Sequence, residues 1–308
     1  MPEVAPDPVP GPGEILVAVA AAGVNRADLL QRDGHYPPPA GAPSWPGLEV
    51  SGRVADVGPG VTAVAVGELV VALLDGGGWA DLALARAGDV LPLPDAVTMV
   101  EGAALPEAAA TAWSTFDAAR LRPGETVLVH GGSGGVGALA VQIAAATGAR
   151  VIATAGGPDR VARCAGLGAD VTVDHRGDVV GAVLEATGGR GVDVVLDVVG
   201  AAALAANLRM LGTGGRLAVI GLQGGRRGEL DLGTLLAKRA TVLGTTLRSR
   251  PPAEKAAIMA AVGERVWPMV AAGRVRPVVH ATVPLGEADR ALALLAAGEA
   301  FGKVLLVP

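Results

Sequence analysis

Two features of the sequence carry the residue types that chemistry needs. The first is Gly132-Ser133-Gly134-Gly135-Val136-Gly137, a G-x-G-x-x-G turn set between the apolar run TVLVH and an apolar helical segment. Glycine lets the backbone turn sharply and approach a pyrophosphate, whose charge is met by the free amides of a helix start. Alone the pattern is weak, and its bland alternative is a strand–helix turn that binds nothing. The strand before it and the alternation after it favour dinucleotide binding. The second feature is Tyr36, the single tyrosine. A phenol can orient a substrate oxygen or give it a proton, which makes Tyr36 the candidate catalytic contact. A Tyr ahead of Pro37-Pro38-Pro39 can equally serve as a loop anchor.

The turn also bears on which nucleotide is bound. NAD-type sites usually end their second strand in Asp or Glu, which accepts hydrogen bonds from the ribose 2′-hydroxyl. Here that strand ends Ala153-Thr154-Ala155-Gly156-Gly157-Pro158, with no carboxylate before Asp159. A small, uncharged bend at Gly157 admits a 2′-phosphate, and Arg160 lies close enough in sequence to pair with it, unless it is an ordinary solvated side chain. The pattern predicts NADPH. It also disfavours an S-adenosylmethionine site, which wants an acid after that strand.

Absences narrow the chemistry further. Tyr36 lies upstream of the glycine turn, so the downstream Tyr–Lys pair of short-chain reductases is missing. Cys164 is the only cysteine, and His35, His130, His175 and His280 are scattered, so no zinc ligand set can be assembled. A hydride donor without a Lewis acid suits an acceptor already activated by conjugation, such as a quinone or enone. Cys164 itself reads as a small buried side chain.

These residues need elements to hold them. Residues 14–105 read as β-rich, with strands at Ile15–Ala21, Val50–Val57, Glu68–Leu74 and Asp81–Ala85 and a short helix capped by Asn25. From Thr126 apolar strands alternate with helices through TVLVH, RVIATA, DVTVD, VDVVLDVVG, GRLAVIG and ATVLGTT. Continuous Val/Ile/Leu strands with helical crossovers predict a doubly wound parallel sheet. After Arg250 the pattern returns to a helix, the strand PVVHATVP, a helix and the strand KVLLV. The fold class is therefore α/β, a β-rich domain at 1–108 and 249–308 interrupted by a Rossmann domain at 109–248.

Composition excludes other roles. A net charge of -5 leaves no basic stripe for nucleic acid. The uncharged stretch Val127–Ala149 contains the cluster Gly131–Gly135, so a buried strand, turn and helix explains it better than a membrane span. The N-terminus lacks a basic region followed by an apolar core, which points to the cytoplasm.

The chain resembles the zinc-free quinone oxidoreductase branch of the medium-chain dehydrogenase/reductase superfamily. The resemblance covers nearly the whole chain: GVNRADLLQRDGHYPPP (23–39), PGLEVSGRV (46–54), VGPGV (57–61), LPEAAATAW (105–113), VLVHGGSGGVG (127–137), DVVG (197–200), GRLAVIGL (215–222), TTLRSR (245–250) and GKVLL (302–306). The NRADL, LRSR and GL-x-GG pieces are shared with its tumour-suppressor-inducible members. It implies a GroES-like catalytic domain around a Rossmann insert, with the active site in the cleft between them; relatives also begin with an additional strand and hairpin that is absent before Met1.

In zinc-dependent relatives a metal-binding Cys falls at Asn25 and a His at Leu48, so both ligands are missing here. By the same resemblance Asn25 and Thr111 line the nicotinamide end, with Val199, Gly221, Leu222 and Leu247 nearby. Gly134, Gly135 and Val136 bind the pyrophosphate, Lys303 a cofactor phosphate or ribose, and His175 stands where many members have Tyr beside the adenosine 2′-phosphate. The implied activity is NADPH-dependent reduction of a quinone by a homodimer paired through the edge strand ATVLGTT. Two alternatives stay open: reduction of α,β-unsaturated ketones or enoyl thioesters, and an NADPH-binding regulatory protein with little turnover.

Overall fold

A computed structural model describes residues 6–308. The first stretch holds β1 (Glu14–Val24), α1 (Arg26–Arg32), β2 (Glu49–Val57), β3 (Leu69–Leu73), β4 (Leu82–Arg86), β5 (Val90–Pro92), α2 (Met99–Gly102) and α3 (Pro106–Ala118). There follow β6 (Thr126–Val129), α4 (Gly135–Ala146), β7 (Arg150–Ala155), α5 (Pro158–Ala165), β8 (Val171–Asp174), α6 (Val179–Ala186) and β9 (Val192–Asp197). The chain continues through α7 (Leu204–Met210), β10 (Leu211–Val219), α8 (Leu232–Lys238) and β11 (Thr241–Gly244). It closes with α9 (Pro252–Arg265), α10 (Trp267–Ala271), β12 (Val279–Pro284), α11 (Ala288–Ala296) and β13 (Lys303–Val307). Two compact units divide it, one ending at Ala110 and resuming at Leu247, the other spanning Thr111–Thr246.

The first unit is a mostly antiparallel sheet in the order β12-β13-β1-β2-β3-β5, with β4 also paired to β1. Its core is aliphatic: Ile15, Val17, Val50, Val54, Val70 and Leu306 are all but fully buried. β1 changes register against β2 between Leu16 and Val17 and again between Val19 and Ala21. Gly52 makes the crossing possible, because a Cβ there would sit 2.1 Å from the Ala18 carbonyl oxygen. The pairing brings the end of β1, and with it Asn25, beside both the start of β2 and β13.

The second unit is an all-parallel sheet ordered β11-β10-β9-β6-β7-β8. Strand order reverses at β6, the switch point at which open α/β sheets place their ligands. Leu128, Ile152, Val195, Leu211 and Leu217 are fully buried within it, as strands covered on both faces require. The uncharged stretch 127–149 resolves into β6, the glycine turn and α4, and no helix among the described residues is long and apolar enough to cross a membrane.

Candidate active site

In the first unit a cluster of buried polar side chains forms around Asn25. Helix α1 begins right after β1, and the Asp28 carboxylate turns back to accept the Asn25 backbone N–H at 2.7 Å. Its other oxygen accepts the Gly47 N–H at 3.2 Å. The Asn25 amide is thereby free to face inward. Its Nδ2 donates to Glu49 Oε1 at 2.9 Å, and its Oδ1 accepts from Lys303 Nζ at 2.6 Å. Lys303 also donates to Glu49, whose second oxygen accepts the Glu107 backbone N–H at 2.9 Å. Both Glu49 and Lys303 lie away from solvent, so their mutual charge and these hydrogen bonds must offset the loss of hydration. Burial pushes the Asp28 carboxyl up to about 6, against the pull of the two backbone N–H groups and of Lys303.

Tyr36 lies half-buried beyond α1, and the guanidinium of Arg248 sits 5.4 Å from its ring centroid. Burial, then the nearby Glu107 carboxylate, hold the phenol above its usual range, with Arg248 opposing them. The phenol is therefore a hydrogen-bond donor at neutral pH.

In the second unit the glycine turn joins β6 to α4. Gly134 caps the helix, and its N–H donates to the Gly131 carbonyl at 2.9 Å. Gly137 must be glycine, since a Cβ there would lie 2.0 Å from the Gly131 oxygen. The first amides of α4, at Gly135 and Val136, have no partner within the helix, as at any helix start. Gly132 and Gly131 are tied to Thr154 of β7, through its carbonyl at 2.8 Å and its hydroxyl at 3.2 Å.

The end of β7 gathers a second group. Gly157 has φ of 82° and caps α5, whose first turn carries Arg160. A Cβ on Gly156 would lie 2.8 Å from the His175 ring, and one on Gly157 would lie 3.3 Å from Arg176 Nη1. The Asp174 carboxylate accepts the Gly157 N–H at 3.2 Å and the Arg176 N–H at 3.0 Å, which holds it below the usual carboxylate range.

At the end of β9 the Asp197 carboxylate accepts the N–H of Val199 at 2.7 Å and of Gly200 at 3.0 Å. Gly221 packs so closely on Val198 that a Cβ would lie 2.6 Å from its carbonyl oxygen. Leu222 beside it is half exposed. Behind the turn, burial holds His130 neutral, with Nε2 2.7 Å from Asn207 Oδ1 and Nδ1 3.2 Å from the Thr154 hydroxyl.

The structure thus joins Asn25 to Lys303, sets Gly157 and His175 at the same end of β7 through Gly156 and Arg176, and packs Gly221 on Val198, next to Val199. It places Thr111 on α3 and Leu247 at the start of the returning segment. Lys303 donates to both Asn25 and Glu49. Sequence reasoning missed Glu49, Asp28, Asp197 and Arg176. Asp28 had a signal in its spacing from the Asn25 cap, and Glu49 had one as an acid inside the apolar run LEVSG. Cys164 is buried on α5, and burial pushes its thiol up to about 11, so it is inert.

Residues 11–95 match the family of alcohol dehydrogenase GroES-like domains, and residues 135–262 match the family described as zinc-binding dehydrogenase. A quinone oxidoreductase of Rattus norvegicus is 34% identical over 290 residues, which cover 92% of this chain and 85% of that protein. The chain belongs to the medium-chain dehydrogenase/reductase family of oxidoreductases. Its GroES-like sheet and parallel Rossmann sheet are those the resemblance implies.

A phthioceranic/hydroxyphthioceranic acid synthase of Mycobacterium tuberculosis is 37% identical over 304 residues, 96% of this chain. The chain spans only 14% of the length of that synthase. Among solved structures, Escherichia coli quinone oxidoreductase complexed with NADPH is 29% identical with a TM-score of 0.87, covering 100% of this chain and 95% of that one. The CurK enoyl reductase is 26% identical with a TM-score of 0.85, covering 100% and 94%.

Despite the name of one matching family, the residues at Asn25 do not fit zinc. Asn25 offers an amide oxygen already bound to a buried ammonium, and Leu48 offers no donor. Among the described residues no group of three or more His, Cys, Asp or Glu side chains is placed to hold a metal ion.

Proposed function

We propose that the protein is an NADPH-dependent, metal-independent oxidoreductase that delivers hydride to a quinone. The observation that carries this reading is the Asn25–Glu49–Lys303 cluster. Where zinc-dependent relatives place a metal ligand, this chain has an amide whose oxygen is taken by Lys303, and the nearby carboxylate of Glu49 is taken by the same ammonium, so neither is left to ligate a metal. Such a site has no Lewis acid to stabilise the alkoxide of a simple alcohol, and it favours an acceptor whose conjugation already takes up charge.

The nicotinamide, when bound, supplies the hydride. Gly132, Gly134, Gly135 and Val136 hold the pyrophosphate against the open amides of α4. Gly157, Arg160, His175 and Arg176 supply the room and the positive charge that a 2′-phosphate needs, which supports NADPH over NADH. Thr111, Val199, Gly221 and Leu222 are the nicotinamide-end residues of this unit. By resemblance, Leu247 and Lys303 are the cofactor-binding residues of the first unit.

Tyr36 donates its phenol hydrogen bond to the acceptor oxygen, and Asn25 is the neighbouring polar contact. The edge strand β11, with Val242 exposed, is where a homodimer would pair.

A second reading is favoured by the synthase and enoyl reductase relatives: reduction of an α,β-unsaturated ketone or enoyl thioester by the same donor and site. Consumption of NADPH and of NADH should be followed with benzoquinone, phenanthrenequinone, an enone and an enoyl thioester. A kcat/KM ordered quinone over enone, with NADPH over NADH, supports the proposal. Turnover confined to the thioester moves the assignment to the second reading. Tight NADPH binding with no turnover of any acceptor would leave a regulatory binding protein.

A further inference from the structure

Arg248 is almost fully buried in the first unit, yet a guanidinium carries its charge at any physiological pH and is costly to desolvate. Its Nε donates to the Asp75 carbonyl at 2.7 Å, and its Nη1 points to the Tyr36 carbonyl at 3.5 Å. The guanidinium carbon lies 5.4 Å from the Tyr36 ring centroid, inside the ~6 Å over which a cation is drawn to an aromatic face. Its Nη2 is buried without a hydrogen-bond partner among the described residues. Orphaned donors of that kind are rare enough to need a reason.

The anchor of Arg248 is itself held. Asp75 accepts at one carboxylate oxygen from Lys255, a buried ammonium on α9, and at the other from Arg86 at 2.7 Å. Gly76 follows it, and a Cβ there would lie 3.0 Å from the Pro43 carbonyl oxygen and 3.3 Å from Arg248 Nη2. The loop after β3 is thus fixed at its carboxylate and kept bare at its glycine, so that its carbonyl meets Arg248. A loop staple would need only the carbonyl contacts. The placement against the face of the chain's single tyrosine is the extra feature.

We propose that Arg248 is the positioning residue of Tyr36, its guanidinium holding the ring at the orientation from which the phenol meets the acceptor oxygen. The inference rests on the reading above, in which Tyr36 contacts the acceptor. The groups facing the phenol are Glu107, Arg248 and Asp75, and of these only Arg248 draws its titration downward.

A double-mutant cycle with a spectroscopic arm tests this. Arg248→Gln in the wild-type background should lower kcat/KM for the best acceptor about ten- to a hundredfold, the cost of misplacing a reacting contact. In the Tyr36→Phe background it should change kcat/KM less than about twofold, because the hydroxyl it positions is gone. Arg248→Lys, which keeps the charge but not the planar fork, should fall between and guards against a folding failure of the Gln variant.

Because the chain has a single tyrosine, ring-labelled tyrosine gives one NMR signal, and Arg248→Gln should shift or broaden it. Equal losses in both backgrounds, or an unmoved signal, would overturn the inference. If the wild type reduces no acceptor, the proposed function fails, and the NMR arm alone still decides whether Arg248 holds the ring.

Discussion

Asp28 gives the sharpest test of how the Asn25 cluster is built. Its carboxyl is raised from an ordinary 3.8 to about 6. The folded state therefore holds the proton more tightly than the unfolded chain, and between those two values the unfolded chain loses it first. Stability from this group is fully present below about pH 4, declines as pH rises, and is gone above about pH 6. A shift of two units is worth about 3 kcal/mol, taken as an upper bound.

Asp28→Asn removes the titration. It keeps one acceptor for the N–H groups of Asn25 and Gly47 and loses the other, at a cost of about 1 kcal/mol. At neutral pH the variant should therefore be as stable as wild type or up to about 2 kcal/mol more stable, whereas near pH 4 it should be less stable. Urea unfolding across the pH series, followed by the fluorescence of Trp45, Trp79 and Trp267 in the same unit, gives the two stability curves. Parallel curves between about pH 4 and pH 6 would refute the burial argument for Asp28.

Three other substitutions probe the remaining parts. Gly137→Ala places a Cβ 2.0 Å from the Gly131 oxygen and should cost about 1–3 kcal/mol in thermal unfolding while abolishing NADPH binding by calorimetry. Glu49→Gln leaves Lys303 buried without its counter-charge and should lower stability by about 3–5 kcal/mol; a loss under 1 kcal/mol would mean that the pair is hydrated. Arg176→Ala should raise KM for NADPH about tenfold and leave KM for NADH unchanged, as expected for removal of a charge that meets only the 2′-phosphate.

The Rossmann unit was legible because its signals are local. Continuous apolar strands, glycine turns and helix starts lie within a few residues of one another, and β6 through β9 fall where the apolar runs are. β10 shows where such reading stops. Its apolar run is GRLAVIG, but the strand already begins at Leu211 and carries a register shift against β9 before Arg216. The shift absorbs Gly214 and Gly215, residues that from sequence alone mark a turn. Helix α3 escaped for another reason: it is alanine-rich and buried along most of its first half, so the polar positions Glu107, Thr111 and Ser114 stand out little against the small residues around them.

The Asn25 cluster was the least legible feature. Asn25 itself was named, but Glu49 meets Lys303 across 254 positions of sequence, and only the pairing of β1 with both β2 and β13 brings them together. Tyr36 and Arg248 are likewise 212 positions apart. No spacing rule reaches that far.

The measurement that bears most directly on the central claim is NADPH consumption with phenanthrenequinone by protein stripped with a strong chelator, with bound metal counted in the same sample. The account predicts an unchanged rate in protein that holds no stoichiometric metal, and no gain on adding zinc. A rate lost on chelation and restored by zinc would contradict it, and would mean that the ammonium of Lys303 yields its place to a metal.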